Sequence, residues 1–393
     1  MTERPLLRIL LATPAYWPAT AFGGPTRAAK ELTEGLVRAG HQVDVLTTSL
    51  RTVDGRPAAR LRSERATVCG VGVLYLATPA RYRWMGITPT LPLAWPWRGR
   101  PDVVHVFGYR DVVTTLTAAW ARAMRVPYVF EPLDMFVPLF RNVPLKRAFD
   151  RVLGEPVAHG ADLVVACSDH EKLQLVEAGL PENRIQTRPN GFPAPSPEGG
   201  DVPGVLRSRL GLGPDEQLVL SVGRISFKKG LDLLLEAVAA LEGVHLAIVG
   251  PDDGDGTLAA LERQRDLLGV ENRIHFVGPL DTSHPQEVYG DADVFVLSSR
   301  NESFGIVAAE AVACGVPTVV TDRCGVAETL GASALVVPCS TEGIREAIAQ
   351  LVATPELRAR LAAAGPEVAR ANSWDLMVAR QVELYRQVLA DRE

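Results

Sequence analysis

The stretch that decides the fold runs from Val294 to Thr318 and reads VFVLSSRNESFGIVAAEAVACGVPT. Its first four residues are apolar and short enough for a buried strand, and a polar turn follows them. The segment from Phe304 to Ala313 then has the composition of a helix, which ends at Gly315 and Pro317. A strand, a loop and a helix N-terminus in this order are where an α/β sheet presents backbone N–H groups to an anion.

Two glutamates on this stretch are candidate ligands. Glu302 lies in the loop, and Glu310 follows eight residues later inside the helix. A rise of ~1.5 Å per residue places Glu310 roughly 7 to 8 Å beyond Gly305. Phosphates at the helix N-terminus would then have a carboxylate on either side to accept hydroxyl hydrogens, which suits a sugar nucleotide. The alternative is a solvated loop charge at Glu302 and an exposed helix position at Glu310, although a lone charge in so apolar a helix requires a partner.

Composition indicates a folded protein of more than one domain. The chain has 393 residues, of which 47% are hydrophobic and 22% are charged. At roughly 150 residues per domain, two or three domains are expected. The formal net charge is −5 and there is no basic block. This argues against nucleic acid as a partner and against a general attraction to anionic membranes.

Cysteine usage and the N-terminus predict a cytoplasmic protein. The five cysteines are scattered and form no C-x-x-C pair, which favours reduced thiols over a disulfide framework or a zinc site. The chain enters an apolar strand at Leu6 without the features of a signal peptide, and no run reaches the ~18 apolar residues of a membrane span. Peripheral membrane contact stays open.

The first half alternates strand and helix patterns. Leu7 to Leu11, Thr26 to Ala39 and His41 to Leu46 predict a βαβ unit. Gly23 and Gly24 precede its helix and allow the backbone to approach a phosphate, an ordinary flexible turn being the alternative. Residues 51–100 are predicted to be an irregular excursion with Trp84, Trp95 and Trp97. Further strands are predicted at Asp102–Phe107, Pro127–Phe130, Asp162–Ala166 and Arg184–Thr187.

A second α/β series follows a linker. Residues Phe192 to Gly213 are rich in proline and glycine, which is typical of a linker. Six strands are predicted after it: Leu218–Val222, His245–Val249, Arg273–Val277, Val294–Leu297, Val316–Thr321 and Ala334–Val337. Two doubly wound, mainly parallel domains should leave a cleft between facing strand ends. A last helix is predicted from Trp374 to Leu389.

The loop after the strand ending at Val222 is a candidate diphosphate site. It reads GRISFKKG from Gly223 to Gly230. Arg224 supplies a planar fork and Lys229 a point charge, a combination suited to phosphates, although a solvated basic loop is the alternative. Acidic metal motifs are conceivable at Asp252, Asp253 and Asp255 or at Asp291 and Asp293. Neither set gives an octahedral arrangement of oxygens, so we expect no metal.

Two places in the first half carry further candidates. His105 ends a predicted strand, where a satisfied core histidine is the alternative to a ligand. Asp134 follows the next strand in the run Glu131–Met135, where a turn-forming aspartate is equally plausible. Tyr109 lies just after His105 and is a candidate acceptor contact together with Asp134.

These residues together resemble the retaining GT-B glycosyltransferases of family 4, the group that includes glycogen synthases and mannosyltransferases. Glu302, Phe304, Gly305 and Glu310 match the E-x7-E signature, and the loop from Gly223 to Gly230 matches G-R-x-x-x-x-K-G. The segment from Asp102 to Gly108 resembles D-V-V-H-x-H-G with Phe107 in place of the second histidine. Leu133 and Asp134 stand where the family's P-H-G-M segment has His and Gly.

The resemblance implies roles for individual residues. It assigns Glu302 to the donor sugar, Glu310 to the ribose, and Arg224 and Lys229 to the donor phosphates. It implies that His105 contacts the sugar or helps to position the acceptor. The catalytic set is His105, Arg224, Lys229 and Glu302. The predicted donor-binding set is Gly23, Gly24, Gly223, Arg224, Lys229, Gly250, Ser303, Phe304, Gly305, Ile306 and Glu310.

The sequence therefore predicts an α/β protein with the GT-B architecture of two Rossmann-like domains. We expect an acceptor-binding domain over 1–195, a nucleotide-sugar-binding domain over 196–373, and a C-terminal helix over 374–393 that returns to the first domain. The predicted activity is transfer of a sugar with retention from a UDP or GDP sugar to the hydroxyl of a small-molecule, glycan or lipid-linked acceptor, without a divalent metal or other cofactor. A GT-B phosphorylase or epimerase and a non-catalytic sugar-nucleotide binder are the alternatives.

Overall fold

A computed structural model of the chain describes residues 5–51, 62–82, 85–94, 99–140, 142–195, 205–213, 215–280 and 285–392. The chain forms two compact units. Unit 1 consists of Met1–Asn190 and Trp374–Glu393, and unit 2 consists of Gly191–Ser373. Each unit is an α/β domain with its own hydrophobic core.

Unit 1 is built on an eight-stranded sheet in the order β10-β9-β8-β7-β1-β2-β4-β3. All neighbours in it are parallel except β3 and β4. The strands of unit 1 are β1 (Arg8–Ala12), β2 (Gln42–Thr48), β3 (Glu64–Val68), β4 (Val71–Leu76), β5 (Ala80–Tyr82), β6 (Met85–Ile87), β7 (Val103–Phe107), β8 (Tyr128–Glu131), β9 (Leu163–Ala166) and β10 (Ile185–Thr187). Its helices before the crossing to unit 2 are α1 (Gly24–Arg38), α2 (Val112–Ala123), α3 (Val143–Phe149), α4 (Glu155–His159) and α5 (Asp169–Glu177).

Unit 2 has a six-stranded, fully parallel sheet in the order β13-β12-β11-β14-β15-β16. Its strands are β11 (Gln217–Val222), β12 (Val244–Val249), β13 (Ile274–Gly278), β14 (Val294–Leu297), β15 (Thr318–Thr321) and β16 (Ala334–Val337). Its helices are α6 (Leu206–Leu210), α7 (Leu231–Ala239), α8 (Thr257–Leu268), α9 (Pro285–Tyr289), α10 (Ile306–Ala313), α11 (Ala327–Leu330), α12 (Thr341–Ala353) and α13 (Pro355–Ala371). The chain ends with α14 (Trp374–Ala390), which belongs to unit 1.

Both sheets have the strand order of a doubly wound Rossmann-like domain, which confirms the predicted fold class. The central strands are largely apolar, as expected where helices cover both faces of a parallel sheet. All four residues of β14 are buried, and β14 pairs with β11 on one side and with β15 on the other. The apolar run that opens the deciding stretch is therefore a central strand of unit 2.

The prediction of an irregular excursion over residues 51–100 was wrong in part. β3 and β4 extend the sheet of unit 1 at one edge, and β5 and β6 form a separate hairpin. β4 reads VGVLYL and is fully buried, so it is an apolar run of the kind that indicates a strand. Trp84, Trp95 and Trp97 lie outside the described residues.

The linker prediction also needs correction. The chain passes from unit 1 to unit 2 after Asn190. Phe192 already belongs to unit 2, where its N–H donates to Asn372 O at 2.8 Å. Within the predicted linker, residues 196–204 lie outside the described ranges, and α6 occupies Leu206–Leu210. A short helix was not expected there, since proline and glycine dominate the sequence before it.

Helix α14 packs against α1 within unit 1, and a glycine allows the close approach. A Cβ at Gly35 would lie 2.5 Å from Val378 Cγ2. Val378, Val382 and Tyr385 are buried on one face of α14. Their spacing of three and four residues is that of an amphipathic helix.

Gly365 has the same role between α13 and α10, the helix that carries Glu310. A Cβ at Gly365 would lie 2.3 Å from Val312 O, which is a backbone atom and cannot rotate away.

We expect Gly365→Ala to destabilise unit 2 by about 1–3 kcal/mol, although alanine is the better helix former. Thermal unfolding measures this. Gly213→Ala is the control, since its Cβ would meet only Glu216 Oε2 at 3.6 Å; equal melting temperatures for the two variants would contradict the packing argument.

Candidate functional site

The predicted donor residues of unit 2 lie where its strand order reverses. β11 and β14 are neighbours in the sheet, but their connections run to opposite sides of it. In doubly wound sheets, ligands bind beyond the carboxyl ends of the two strands at this point. The loop after β11 is Gly223–Gly230, and the loop after β14 is Ser298–Gly305.

Two glycines bring the backbone of neighbouring loops into contact beside this point. Gly223 and Gly250 have φ of 147° and 148°, and a Cβ at Gly250 would lie 1.9 Å from Gly223 O. The loop after β11 then pairs with the loop after β12. Ile225 N–H donates to Pro251 O at 2.8 Å, and Asp253 N–H donates to Ile225 O at 3.1 Å.

Lys229 and Glu302 form an ion pair across the two loops of the switch point. Lys229 Nζ lies 2.6 Å from Glu302 Oε2, and the two side chains are 18% and 17% exposed. Burial raises the pKa of the Glu302 carboxyl, but the cationic side chains of Lys229, Lys228 and Arg224 lower it by more than this. The resulting pKa is about 2. Three cations therefore act on one carboxylate at the carboxyl end of β14, and this carboxylate is ionised at neutral pH.

Arg224 is the most exposed member of this group. Its side chain is 45% exposed, and Nη1 donates to Asp253 Oδ1 at 2.8 Å. Arg224 and Lys229, which the sequence predicted to bind phosphate, are thus both paired with carboxylates. Their association with the same carboxylate, Glu302, places them in one electrostatic cluster.

The N-terminus of α10 lies at the end of the loop that carries Glu302. Gly305 is its N-cap with φ of 109°, and a Cβ there would lie 2.7 Å from Leu297 Cδ2. No side chain caps this helix, and its first turn has no acidic residue. The Glu302 side chain of the preceding loop lies beside this N-cap, with Cγ 3.5 Å from where a Gly305 Cβ would be. A carboxylate at this place is favoured by the positive end of the helix.

Glu310 is buried rather than exposed, so the alternative of a solvated helix position was wrong. Glu310 is 2% exposed, and Tyr289 Oη donates to Glu310 Oε2 at 2.8 Å. This bond from α9 supplies the partner that an isolated charge in an apolar helix requires. A role with a ribose stays a prediction.

The remaining donor candidates of unit 2 differ in burial. Phe304 is 2% exposed and packs edge-on against Phe192, so its side chain belongs to the core. Ser303 and Ile306 are half-buried next to Gly305. In unit 1, Gly23 has φ of 77° and caps α1, and apart from its chain neighbours no heavy atom of the described residues lies within 4 Å of where its Cβ would be. Gly24 is the first residue of that helix.

His105 is completely buried in unit 1. Its Nδ1 lies 2.7 Å from Tyr385 Oη in α14, and its Nε2 lies 3.2 Å from Glu131 Oε2 at the end of β8. Arg188, also fully buried, donates to the same oxygen at 2.5 Å. Burial lowers the pKa of His105, which favours the neutral imidazole. His105 is therefore paired within the core through Nδ1, while Nε2 lies close to Glu131 without hydrogen-bond geometry. Its predicted contact with a sugar stays a prediction.

Glu131, Arg188 and Tyr385 were missed from the sequence. Glu131 is the last residue of the buried strand YVFE, and Arg188 directly follows β10; each is a charged residue at or just beyond the end of a strand. That signal was available, but nothing in the sequence pairs residues that are 57 positions apart.

The predicted acceptor residues lie in the loops after β7 and β8. Tyr109 is 2% exposed and packs against Phe130, Phe136 and Phe149, so its ring belongs to an aromatic cluster of the core. Asp134 has φ of 61°, and its N–H donates to Glu171 Oε1 at 2.5 Å. Its turn conformation agrees with the alternative weighed from the sequence, and an acceptor contact at either residue stays a prediction.

The acidic motifs considered for a metal have other partners. Asp291 and Asp293 bind Arg207, and Asp255 accepts the Thr257 N–H at 2.9 Å. Across the described ranges, no group of three or more His, Cys, Asp or Glu side chains is arranged to hold a metal ion. The five cysteines are free. No helix in the described part of the chain is both long and apolar enough to cross a bilayer.

Removing the ammonium group from the partly buried Lys229–Glu302 pair should show the cost of an unpaired carboxylate. We expect Lys229→Met to destabilise unit 2 by about 3 kcal/mol at pH 7, and Lys229→Met/Glu302→Gln to recover most of this loss. In the wild type, the depressed pKa of Glu302 gives stability above its usual value of 4.5 that is lost only as the pH falls toward about 2. In Lys229→Met the pKa of Glu302 should instead rise, so the variant should gain stability relative to wild type between pH 7 and pH 5.

Thermal unfolding at pH 5, 6 and 7 measures this difference. A constant gap between the two proteins over that range would show that the carboxylate does not depend on Lys229.

The core histidine gives a prediction for unit 1. Tyr385→Phe removes the hydroxyl beside His105 Nδ1 and leaves a buried ring nitrogen without that partner, which should cost about 1–3 kcal/mol. Tyr82→Phe serves as the control because Tyr82 is 52% exposed. Chemical denaturation of both variants measures the difference, and a Tyr385→Phe protein as stable as the control would contradict the assigned contact.

Comparison with known proteins agrees with this arrangement. The family description "Glycosyl transferases group 1" matches residues 205–368, and "Glycosyl transferase 4-like domain" matches residues 23–191. The D-inositol 3-phosphate glycosyltransferase of Xylanimonas cellulosilytica is 34% identical over 62% of this chain and 61% of its own length. The enzyme of that name from Thermomonospora curvata is 36% identical over 60% of this chain and 59% of its own. The chain thus spans about three fifths of the length of these relatives.

Solved structures show the same fold. Sucrose-phosphate synthase from Thermosynechococcus elongatus superposes with a TM-score of 0.78 and 22% identity over 98% of this chain and 100% of its own. Anabaena HepE in complex with UDP and glucose superposes with a TM-score of 0.74 and 21% identity over 97% and 99%. With two matching family descriptions that lie one in each unit, and with this fold, the chain belongs to the group 1 family of GT-B glycosyltransferases.

Proposed function

We propose that this protein is a retaining glycosyltransferase that transfers a sugar from a nucleoside diphosphate sugar of the UDP or GDP type to an acceptor hydroxyl. The observation that carries the proposal is the cation cluster of unit 2. Arg224, Lys228 and Lys229 all act on the Glu302 carboxylate at the switch point of a Rossmann-like sheet. Fixed cations at such a place suit a pyrophosphate group.

The chemistry follows from the charge that develops on the leaving group. Breaking the bond between the anomeric carbon and the β-phosphate oxygen leaves an additional negative charge on the diphosphate. In this proposal Arg224, Lys229 and the N-terminus of α10 stabilise that charge, and no divalent metal takes part. The acceptor oxygen then bonds to the anomeric carbon, and its proton passes to the departing phosphate.

The carboxylates would orient the donor on either side of the diphosphate. Glu302 accepts sugar hydroxyls, and its low pKa keeps it ionised for that role. Glu310 accepts ribose hydroxyls, with its orientation fixed by the hydrogen bond from Tyr289. The residues proposed for unit 1 are Gly23 and Gly24 for phosphate, and His105, Tyr109 and Asp134 for sugar or acceptor.

The names of similar proteins guide the choice of substrates. The HepE structure contains UDP and glucose, and the relatives quoted above are named for D-inositol 3-phosphate. UDP sugars and inositol phosphates therefore belong in any substrate panel, together with GDP and ADP sugars and sugar acceptors.

The test measures thermal shift and calorimetric binding of UDP, GDP, ADP and their sugars in the presence of EDTA. We expect at least one diphosphate to raise the melting temperature, Arg224→Ala to weaken its binding about tenfold or more, and Glu310→Ala to lose the contribution of the ribose. Transfer of radiolabelled sugar to the acceptor panel then tests catalysis, and the anomeric configuration of the product tests retention.

Two controls separate binding from folding. Arg323→Ala removes an exposed arginine of unit 2 that is 58% exposed and pairs with Asp322 at 3.7 Å; it should bind as wild type does. Tyr289→Phe removes the hydrogen bond to Glu310 but keeps the carboxylate, so it should retain more affinity than Glu310→Ala. A wild-type protein that binds none of the diphosphates at millimolar concentration, or binds only when a divalent metal is added, would refute the corresponding part of the proposal.

A further inference from the structure

Arg224 and Asp253 form an ion pair at the edge of the cation cluster, and nothing in the proposed reaction uses Asp253. Arg224 Nη1 donates to Asp253 Oδ1 at 2.8 Å. A guanidinium group binds carboxylate and phosphate oxygens with the same N–H donors. The donor diphosphate, under the function proposed above, must therefore take this arginine from a carboxylate that already holds it.

We propose that Asp253 is a resident counter-ion of the donor site, which competes with the diphosphate for Arg224 and so sets the affinity for nucleoside diphosphates. The inference rests on the proposed function, since it assumes that Arg224 binds the diphosphate. It assigns a part in donor affinity to a residue that lies outside the two sequence signatures of the family resemblance.

The backbone holds Asp253 in reach of Arg224. Asp253 N–H donates to Ile225 O at 3.1 Å, and Ile225 N–H donates to Pro251 O at 2.8 Å. Ile225 is the residue directly after Arg224, so the two loops are joined next to both side chains. The carboxylate is thus presented by paired backbone and its effective concentration beside Arg224 is high.

The other aspartates of the same loop have different partners. Asp252 Oδ1 accepts the Gly254 N–H at 3.1 Å, and Asp255 accepts the N–H groups of Thr257 at 2.9 Å and Phe227 at 3.3 Å. These bonds shape the turn and the start of α8. Asp253 instead directs its carboxylate to a cation of the cluster.

The two ion pairs of the cluster differ in how readily they can open. Lys229 and Glu302 are 18% and 17% exposed, whereas Arg224 and Asp253 are 45% and 27% exposed. Exposed ion pairs are weak because water solvates both charges, while the separation of a buried pair leaves a charge uncompensated. The Arg224–Asp253 pair is therefore the one that can exchange its carboxylate for a phosphate.

Removal of the charge at Asp253 should strengthen binding in two ways. It frees the guanidinium group, and it removes an anion that would otherwise repel the bound diphosphate. We expect Asp253→Asn to bind the preferred diphosphate about three- to tenfold more tightly than wild type at low ionic strength. The gain should shrink in 0.5 M salt, where charges more than a few ångströms apart are screened, and should be absent for the uncharged nucleoside.

The experiment is isothermal titration of UDP, GDP and ADP, each with its nucleoside, into wild type, Asp253→Asn and Asp253→Ser. Two substitutions are used so that a defect in folding of one does not decide the result. Asp322→Asn is the control, because Asp322 is an exposed aspartate of unit 2 that pairs with Arg323; its affinity should stay within twofold of wild type.

A double-variant cycle identifies the mechanism. If Asp253 competes for Arg224, the gain from Asp253→Asn should vanish in an Arg224→Ala background. A gain in affinity that persists in the Arg224→Ala background would refute competition and favour simple charge repulsion. Unchanged or weaker diphosphate binding by both Asp253 variants would refute any inhibitory role of Asp253. If the wild type binds none of the three diphosphates, the proposed function itself is refuted. The two failures are therefore distinguishable.

Discussion

The ion pair between Lys229 and Glu302 is the contact on which the proposed donor site of unit 2 depends. It joins the loops that follow β11 and β14, the two neighbouring strands at which the sheet reverses direction. A carboxylate with this little exposure is stable only beside a cation. The pair therefore fixes the relative positions of the basic loop and of the loop that leads into α10, and it keeps Glu302 ionised.

Close backbone contacts complete this arrangement. Gly250 lets the loop after β12 touch the carbonyl of Gly223, and Gly305 lets α10 begin against Leu297. A side chain at either glycine would separate elements that carry the cations and the helix N-terminus. The positions of charge in unit 2 thus depend on two close approaches, of backbone to backbone at Gly250 and of backbone to the Leu297 side chain at Gly305. Glycine permits both because it has no side chain.

Unit 1 uses buried charge in a different manner. His105, Glu131 and Arg188 are fully buried, and Tyr385 of the C-terminal helix contacts the same group. The network connects β7 and β8 with the residue after β10 and with α14. Its members pair with one another, so the network ties a distant part of the chain to the centre of the sheet. Unit 2 instead leaves Arg224 partly exposed, which is what a site for an exchangeable anion requires.

The sequence by itself determined the fold class and predicted the residues of the proposed donor site. Apolar runs of strand length that alternate with helical patterns specify parallel sheets. The pairs Arg224–Lys229 and Glu302–Glu310 are each close enough in the chain to be recognised from the sequence. Only the tertiary structure decided the partners: Tyr289 for Glu310, Asp253 for Arg224, and the buried group around His105. These contacts join residues from 21 to 280 positions apart. The alternation of hydrophobicity fixes which face of an element is buried. Which charged side chains pair across the sheet depends on the strand order, and no local sequence pattern contains that order.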